Sequence, residues 1–326
     1  MSPSMNRGGV AAQGSEATDS RTIAGGQGEA APRDLHVMED ARAYAGGVSV
    51  RVIRAGWFRP DAGGFFGVVP RPLWSRLVET DERGRLRCRL NLLLIESDGK
   101  RILVETGTGS RMSDKDRDIK GVEGGEPVEA LRAVGVDPSS IDFAVVTHLH
   151  YDHAGGMLGP DGRPAFPNAR YVVQRDEAEA AHGDELRLQG VMEVEQLDAI
   201  RDARQLAEVS GEVELVHGVR VLRTGGHTRG SQAVLIGTER VSGRSSDPAE
   251  RAIFWGDLIP TRWQIPVRWT SAYDDYPIEA IEIRNELVAR AAAERWWCYF
   301  THDPGGLPIR IEASDRGGFR AAESPA

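Results

Sequence analysis

The segment Thr147-His148-Leu149-His150-Tyr151-Asp152-His153 puts four side chains able to bind a metal ion inside six residues. Neutral imidazole and carboxylate are ligands that borderline divalent ions such as zinc accept, and a turn at the end of a strand can aim several of them at one point. A single histidine on an apolar face is usually a core residue with a satisfied partner. Four clustered groups do not suit that reading, because each would cost several kcal/mol if buried without a partner. Three further candidates stand in similar settings: His227 in Gly225-Gly226-His227-Thr228, Asp257 after Trp255-Gly256, and His302 after Trp297-Cys298-Tyr299-Phe300-Thr301. Five of the eight histidines are thereby used. His36, His182 and His217 have no motif around them and read as surface or core residues.

These candidates need elements that bring distant segments together. Residues 141–146, just before the motif, have the length and apolarity of a buried strand, as do residues 169–173. Val48, Val50 and Val52 alternate with Ser49 and Arg51 in the period of a half-buried strand, so ordered sequence is expected to begin near Val48. Residues 90–96 and 101–104 flank the turn signal Ser97-Asp98-Gly99-Lys100 and predict a hairpin. Further strands are predicted over 212–216, 219–223, 232–236, 252–255 and 296–301. Helices are predicted over 127–134, 175–181 and part of 191–209. A fourth starts with Asp275 as cap and Pro277 in its first turn and runs to about residue 294, with Ile278, Ile281, Val288 and Ala292 facing the core. Residues 237–251 read as a loop or extended hairpin tip. Each ligand candidate lies just beyond a strand, where the edge of a layered sheet can gather them.

Composition bounds the reading. A chain of 326 residues can bury a sizeable core. The Gly-, Ala-, Ser- and charge-rich residues 1–46 lack apolar periodicity and are expected to form a disordered tail, leaving 47–326 as one α/β domain. Forty-nine acidic against forty basic residues leave a net charge of -9 and no basic footprint for a nucleic acid. Apolar runs such as 92–95 fall far short of the roughly 20 residues a membrane helix needs, so no membrane partner is expected. No secretory apolar stretch follows the start, which predicts the cytoplasm. The two cysteines, Cys88 and Cys298, are too few for a disulfide framework and read as reduced structural thiols.

Taken in order, His-x-His-x-Asp-His, then Gly-His-Thr, Gly-Asp and a late His resemble the metallo-β-lactamase superfamily over residues 88–303. The resemblance implies a four-layer αβ/βα sandwich with a dinuclear metal site at one edge of its two sheets. Carried over, His148, His150 and His227 would hold one ion, Asp152, His153 and His302 the other, and Asp257 would bridge both. The implied cofactors are two divalent ions, usually Zn2+. A pair about 3.5–4 Å apart supplies a hydroxide near neutral pH for attack on an ester-like carbonyl or phosphoryl centre, with Asp152 or Asp257 passing a proton to the leaving group. The β-lactamases proper carry a Cys where this chain has Asp257, so the expected activity is hydrolysis of a lactone or of a carboxylic or aryl ester. Relatives usually carry Asp where this chain has Glu105.

Alternatives on the same fold are a phosphotriester or phosphodiester hydrolase or nuclease, and a mononuclear-iron persulfide dioxygenase using His148, His150 and His227. A non-catalytic binding protein usually loses ligands, and none is missing here. Two aromatic segments outside the motifs offer a substrate wall, from which Phe66, Trp263, Trp269 and Tyr273 are the pocket candidates; core packing explains them equally well. Many acyl-homoserine lactonases of the family place a Tyr three residues after the bridging Asp, where this chain has Pro260. Tyr273 or Tyr276 would substitute if the loop folds back. The expected partner is a small-molecule substrate, with the assembly open between monomer and homodimer.

Overall fold

The computed structural model describes residues 42–44, 46–238, 250–315 and 317–322. Strands β1 (Arg42–Tyr44), β2 (Val48–Phe58), β3 (Cys88–Ser97), β4 (Lys100–Val104), β5 (Glu123–Gly124), β6 (Phe143–Val145), β7 (Arg170–Gln174) and β8 (Leu206–Val209) form one sheet. Its order is β1-β2-β3-β4-β6-β7-β8, with β5 added on β2. A second sheet contains β9 (Glu212–Val216), β10 (Val219–Arg223), β11 (Gln232–Ile236), β12 (Ala252–Phe254) and β13 (Trp297–Tyr299), in the order β13-β12-β11-β10-β9. A small hairpin, β14 (Ile311–Ala313) and β15 (Phe319–Ala321), lies near the C-terminus.

Alternation along the strands explains the layering. On the first sheet Leu93, Ile95, Ile102, Val104, Val145 and Val172 point one way and meet Val219, Val221, Val234, Ile236 and Phe254 of the second sheet in a dry middle layer. Their neighbours Leu92, Leu94, Leu103, Ala144 and Val173 point the other way, into a core closed by the helices Pro127–Ala133, Arg175–Ala181 and Val194–Asp202. On the second sheet Ala233, Leu235, Ile253 and Cys298 face the helix Pro277–Ala293 through Ala280, Leu287, Val288 and Ala291. Strands buried on both faces must read as continuous apolar runs, which is how these segments look in sequence. The result is the four-layer α/β sandwich expected, with helices outside two sheets. Among the described residues no helix is long and apolar enough to cross a membrane.

Three details depart from expectation. Order begins before Val48, because Arg42–Tyr44 pairs antiparallel with residues 48–50; the rest of the predicted tail, 1–41 and Ala45, lies outside the described residues. Most of the predicted loop 237–251 lies outside them too. The helix Pro277–Ala293 keeps Val288 buried and Ala292 packed against the core as predicted, but Ile278 is 68% exposed, and Ala280, Arg284, Leu287 and Ala291 are buried instead. Backbone ties accompany that shift. Asp275 N donates to His227 O (2.9 Å) and Tyr276 N to Gly226 O (2.9 Å), and Arg284 donates to the carbonyls of Trp269 and Gln264 from within the core. Gly226 permits this docking, since a Cβ there would meet Ala280 at 2.7 Å.

Candidate metal centre

Strand direction gathers the candidates at one edge. β4, β6 and β7 are mutually parallel, so Glu105, the His148 segment and the helix Arg175–Ala181 all leave the first sheet at the same end. In the second sheet β10 and β12 are each antiparallel to β11, and β12 is parallel to β13, so His227, Asp257 and His302 also leave together. Gln232 N to Thr147 O (2.9 Å) and Asn91 N to Thr301 O (2.9 Å) link the sheets across this edge. Gly155 and Gly156 let the loop after Glu105 close over the motif: a Cβ on either would lie 2.5 Å or less from a backbone oxygen of that loop.

All seven ligand candidates converge. His148, His150 and His227 form one group, Asp152, His153 and His302 a second, and His148, His153 and Asp257 a third between them. His150 Nδ1 lies 3.0 Å from His148 Nε2 and 3.1 Å from His227 Nε2, and His302 Nε2 lies 3.2 Å from His153 Nε2. Asp152 Oδ2 is 3.4 Å from His302 Nε2. Asp257 turns Oδ1 to His302 Nε2 (3.2 Å) and His153 Nε2 (3.4 Å), and Oδ2 to His227 Nε2 (3.6 Å). Asp257 thus touches both groups.

The nitrogens facing outward from the cluster decide what the inward ones can do. His153 Nδ1 faces Glu105 Oε1 (3.0 Å), His227 Nδ1 faces Asp274 Oδ1 (2.9 Å), and His302 Nδ1 faces Arg89 O (2.9 Å). These acceptors have no proton to give, so each Nδ1 carries one and each Nε2 offers its lone pair inward. Thr147 Oγ1 donates to Glu105 Oε1 (2.6 Å) and therefore accepts from His148 Nδ1 (3.1 Å), which leaves His148 Nε2 in the same state. Lone pairs aimed at one another need a cation between them. Asp257 Oδ1 agrees: it is buried and makes no hydrogen bond among the described residues. The donor set therefore fits divalent ions.

Electrostatics point the same way. Burial holds His148 and His150 well below the usual imidazole range. Burial also pulls on His153 and His227, but the carboxylates around them prevail and raise both. Burial would raise Asp257, yet His153 and His302 hold it well below the carboxylate range. A site that attracts positive charge this strongly is one that a cation satisfies.

Two carboxylates that the sequence reading passed over support the ligands. Asp274 holds His227 and accepts from Ser271 N (2.9 Å) through its other oxygen. Glu177 is fully buried and joins the two ligand loops, accepting from Leu149 N (2.9 Å), Thr228 Oγ1 (2.7 Å) and Gly230 N (2.9 Å). The signal available was an acidic residue next to each ligand segment's neighbouring loop, which is too common to single out. Glu105, flagged as a departure, reaches its target despite the extra methylene by adopting a left-handed backbone, φ +70°. Asp274→Ala is expected to weaken metal binding about 10–100-fold, the usual cost of losing such a support, as read by chelator competition; unchanged affinity would show that His227 needs no brace.

A cleft of about 690 Å3 opens on the cluster and is lined by Phe58, Phe65, Tyr151, Val191, Met192 and Tyr273, among others. Of the predicted pocket residues it includes only Tyr273. Phe66, Trp263 and Trp269 instead pack together beneath the loop: Phe66 is fully buried, stacks on Trp74 at 5.2 Å and meets Trp269 edge-on at 6.1 Å. Core packing won there because a long loop with large aromatics buries more apolar area by covering them than by presenting them. The chain does fold back as Tyr273 required, with its hydroxyl against Gly64.

A family model described as the metallo-beta-lactamase superfamily matches residues 87–302. An N-acyl homoserine lactonase of Bacillus sp is 32% identical over 173 residues, 52% of this chain and 60% of that protein. The chain thus spans about 60% of the length of the curated relatives that it matches over this region. Among solved structures, a probable metal-dependent hydrolase from Staphylococcus aureus superposes with a TM-score of 0.75 at 26% identity, covering 87% of this chain and 100% of that one. AidC, a dizinc quorum-quenching lactonase solved with the product N-hexanoyl-L-homoserine, gives 0.71 at 18% identity over 90% and 99%. At that identity the second likeness speaks for the fold alone.

Proposed function

The chain belongs to the metallo-β-lactamase superfamily, and on that premise we propose that it is a two-metal hydrolase that opens a lactone or cleaves a carboxylic or aryl ester. The observation that carries this reading is the seven-ligand cluster with Asp257 common to both halves. We assign His148, His150 and His227 to one ion, Asp152, His153 and His302 to the other, and Asp257 to both. Zinc is our choice of metal, supported by the imidazole-rich donor set. When bound, two such ions supply Lewis acidity, bringing a water's pKa to about 7 and offsetting charge that grows on the substrate oxygen.

The chain's own groups do the rest. Glu105 and Asp274 keep His153 and His227 in the tautomer that offers Nε2. Asp152 and Asp257, at the cleft floor, are placed to carry a proton to the departing alkoxide. Phe58, Phe65, Met192 and Tyr273 form a wall that excludes water around an apolar acyl or aryl group. Lactonase relatives at 32% identity support the lactone within this class.

The test is a pH-indicator screen of the purified protein against lactones, aryl esters, phosphotriesters and a β-lactam, with and without chelator and with metal restored. Chelator-sensitive turnover of lactones or esters is expected. Turnover confined to phosphotriesters would replace the substrate class, and silence from protein holding two ions would defeat the hydrolase assignment.

A further inference from the structure

The cleft wall carries a charge that the reaction does not use. Lys120 ends the helix Asp114–Lys120, whose C-cap Gly121 adopts φ +57°, and its carbonyl accepts from Arg59 N at 2.7 Å, so its backbone is pinned. Its ammonium lies 3.7 Å from the centroid of the Tyr151 ring, and Tyr151 sits between the ligand candidates His150 and Asp152. Both residues line the cleft. The other basic side chains of that wall have carboxylate partners: Arg59 with Glu123 (2.5 Å), Arg85 with Asp81 (2.9 Å), Arg83 with Asp118 (3.6 Å) and Arg187 with Asp275 (2.5 Å). Lys120 has none among the described residues; the ring face is its only such contact.

The carboxylates that line the cleft are spoken for as well. Asp61 accepts from Gly64 N (2.6 Å), Glu193 from Gln196 Nε2 (2.8 Å), and Asp275 is held by Arg187. Asp152 and Asp257 face the imidazole cluster. Lys120 is half-buried, and an ammonium that meets an aromatic face on one side retains N–H donors that a small anion can satisfy.

We propose that the cleft selects substrates bearing a carboxylate on the acyl part, remote from the bond cleaved, and that Lys120 binds that carboxylate. The selection for turnover rests on the hydrolase reading above, whereas the binding of the anion does not. An uncharged lysine stem covering Tyr151 would serve a packing role only, so the test must separate charge from stem. Lys120→Met keeps the stem.

The metal-loaded protein is given matched aryl esters whose acyl chains end in a carboxylate or in the isosteric methyl ester, at ionic strengths of about 0.01 M and about 0.15 M, where the Debye length falls from about 30 Å to about 8 Å. The ratio of kcat/KM, carboxylate over methyl ester, is expected to reach about tenfold at low salt, the lower range for a charge-assisted hydrogen bond, and to shrink at the higher salt. It should fall about tenfold in Lys120→Met and stay near the wild-type value in Lys120→Arg. A wild-type ratio near one, or a ratio unchanged in Lys120→Met, overturns the proposal. Calorimetric titration with hexanoate and the uncharged hexanamide reads binding without turnover. Hexanoate binding about tenfold tighter than hexanamide in wild type, an advantage that Lys120→Met loses, supports the proposal even if no ester is cleaved, an outcome that defeats the hydrolase reading alone. Equal binding of the two, or an advantage unchanged in Lys120→Met, overturns it whatever is hydrolysed.

Discussion

Replacing Asp257 with alanine is expected to cut the metal content from about two ions per chain to one or fewer and to lower kcat/KM at least about a thousandfold, the scale of losing a principal charge-stabilising element. The carboxylate reaches both halves of the cluster, with Oδ1 3.2 Å from His302 Nε2 and Oδ2 3.6 Å from His227 Nε2. Without it the two groups of imidazoles have no common anion, and Asp152 is the one carboxylate left among the proposed ligands to offset the charge of two ions. Asp257→Asn separates charge from shape, because it keeps the volume and one acceptor oxygen. Metal analysis beside turnover on the best substrate of the screen checks this. A variant that retains two ions and full activity would falsify the bridging assignment.

Stripping the ions with a chelator should lower the melting temperature by about 8–16 °C. A ligand at a thousandfold its Kd adds about 4 kcal/mol to folding, and each kcal/mol moves Tm by roughly 2–4 °C in a domain of 150–250 residues. The cluster makes such coupling strong. His148, His153, His227 and His302 are essentially buried, and the lone pairs of His153 Nε2 and His302 Nε2, which face one another at 3.2 Å, repel unless a cation lies between them. Calorimetry of the stripped and reloaded protein reads the difference, and reloading with Zn2+ should restore the original transition. A melting temperature that moves by less than about 2 °C, below the shift of one kcal/mol, would mean that these side chains are satisfied without metal.

The ligand residues were legible because their chemistry is intolerant. Imidazole and carboxylate are costly to bury, so four of them in six residues after an apolar strand admit few readings, and all seven candidates meet in space. The layering was legible for a related reason, with the count of four supplied by the family resemblance. Strands buried on both faces must be apolar throughout, and the runs 92–95, 143–146 and 232–236 show it. By contrast, the helix from Pro277 was placed correctly along the chain but only partly around its axis: Val288 and Ala292 pack inward, Ile278 does not. Its apolar residues do not form one clean stripe, and the backbone ties from Asp275 and Tyr276 to the His227 loop, which no local pattern records, choose Ala280 and Arg284 over Ile278.

The same division runs through the site. Residue types and spacing alone determined that the chain holds a metal-ligand set on a layered α/β fold, since ligand chemistry is carried by the side chain itself. Only the tertiary structure decided what stands behind and around it: that Asp274 and Glu177 brace the ligand loops, that Glu105 reaches His153, that Phe66, Trp263 and Trp269 are core while Tyr273 faces the cleft, and that Lys120 lies over Tyr151. Those roles depend on contacts between residues 28 or more apart in the chain or on which face of a loop is covered. An aspartate, a tryptophan or a lysine has the same local sequence preferences in either role, so the choice is made by packing and by the partner that long-range folding supplies.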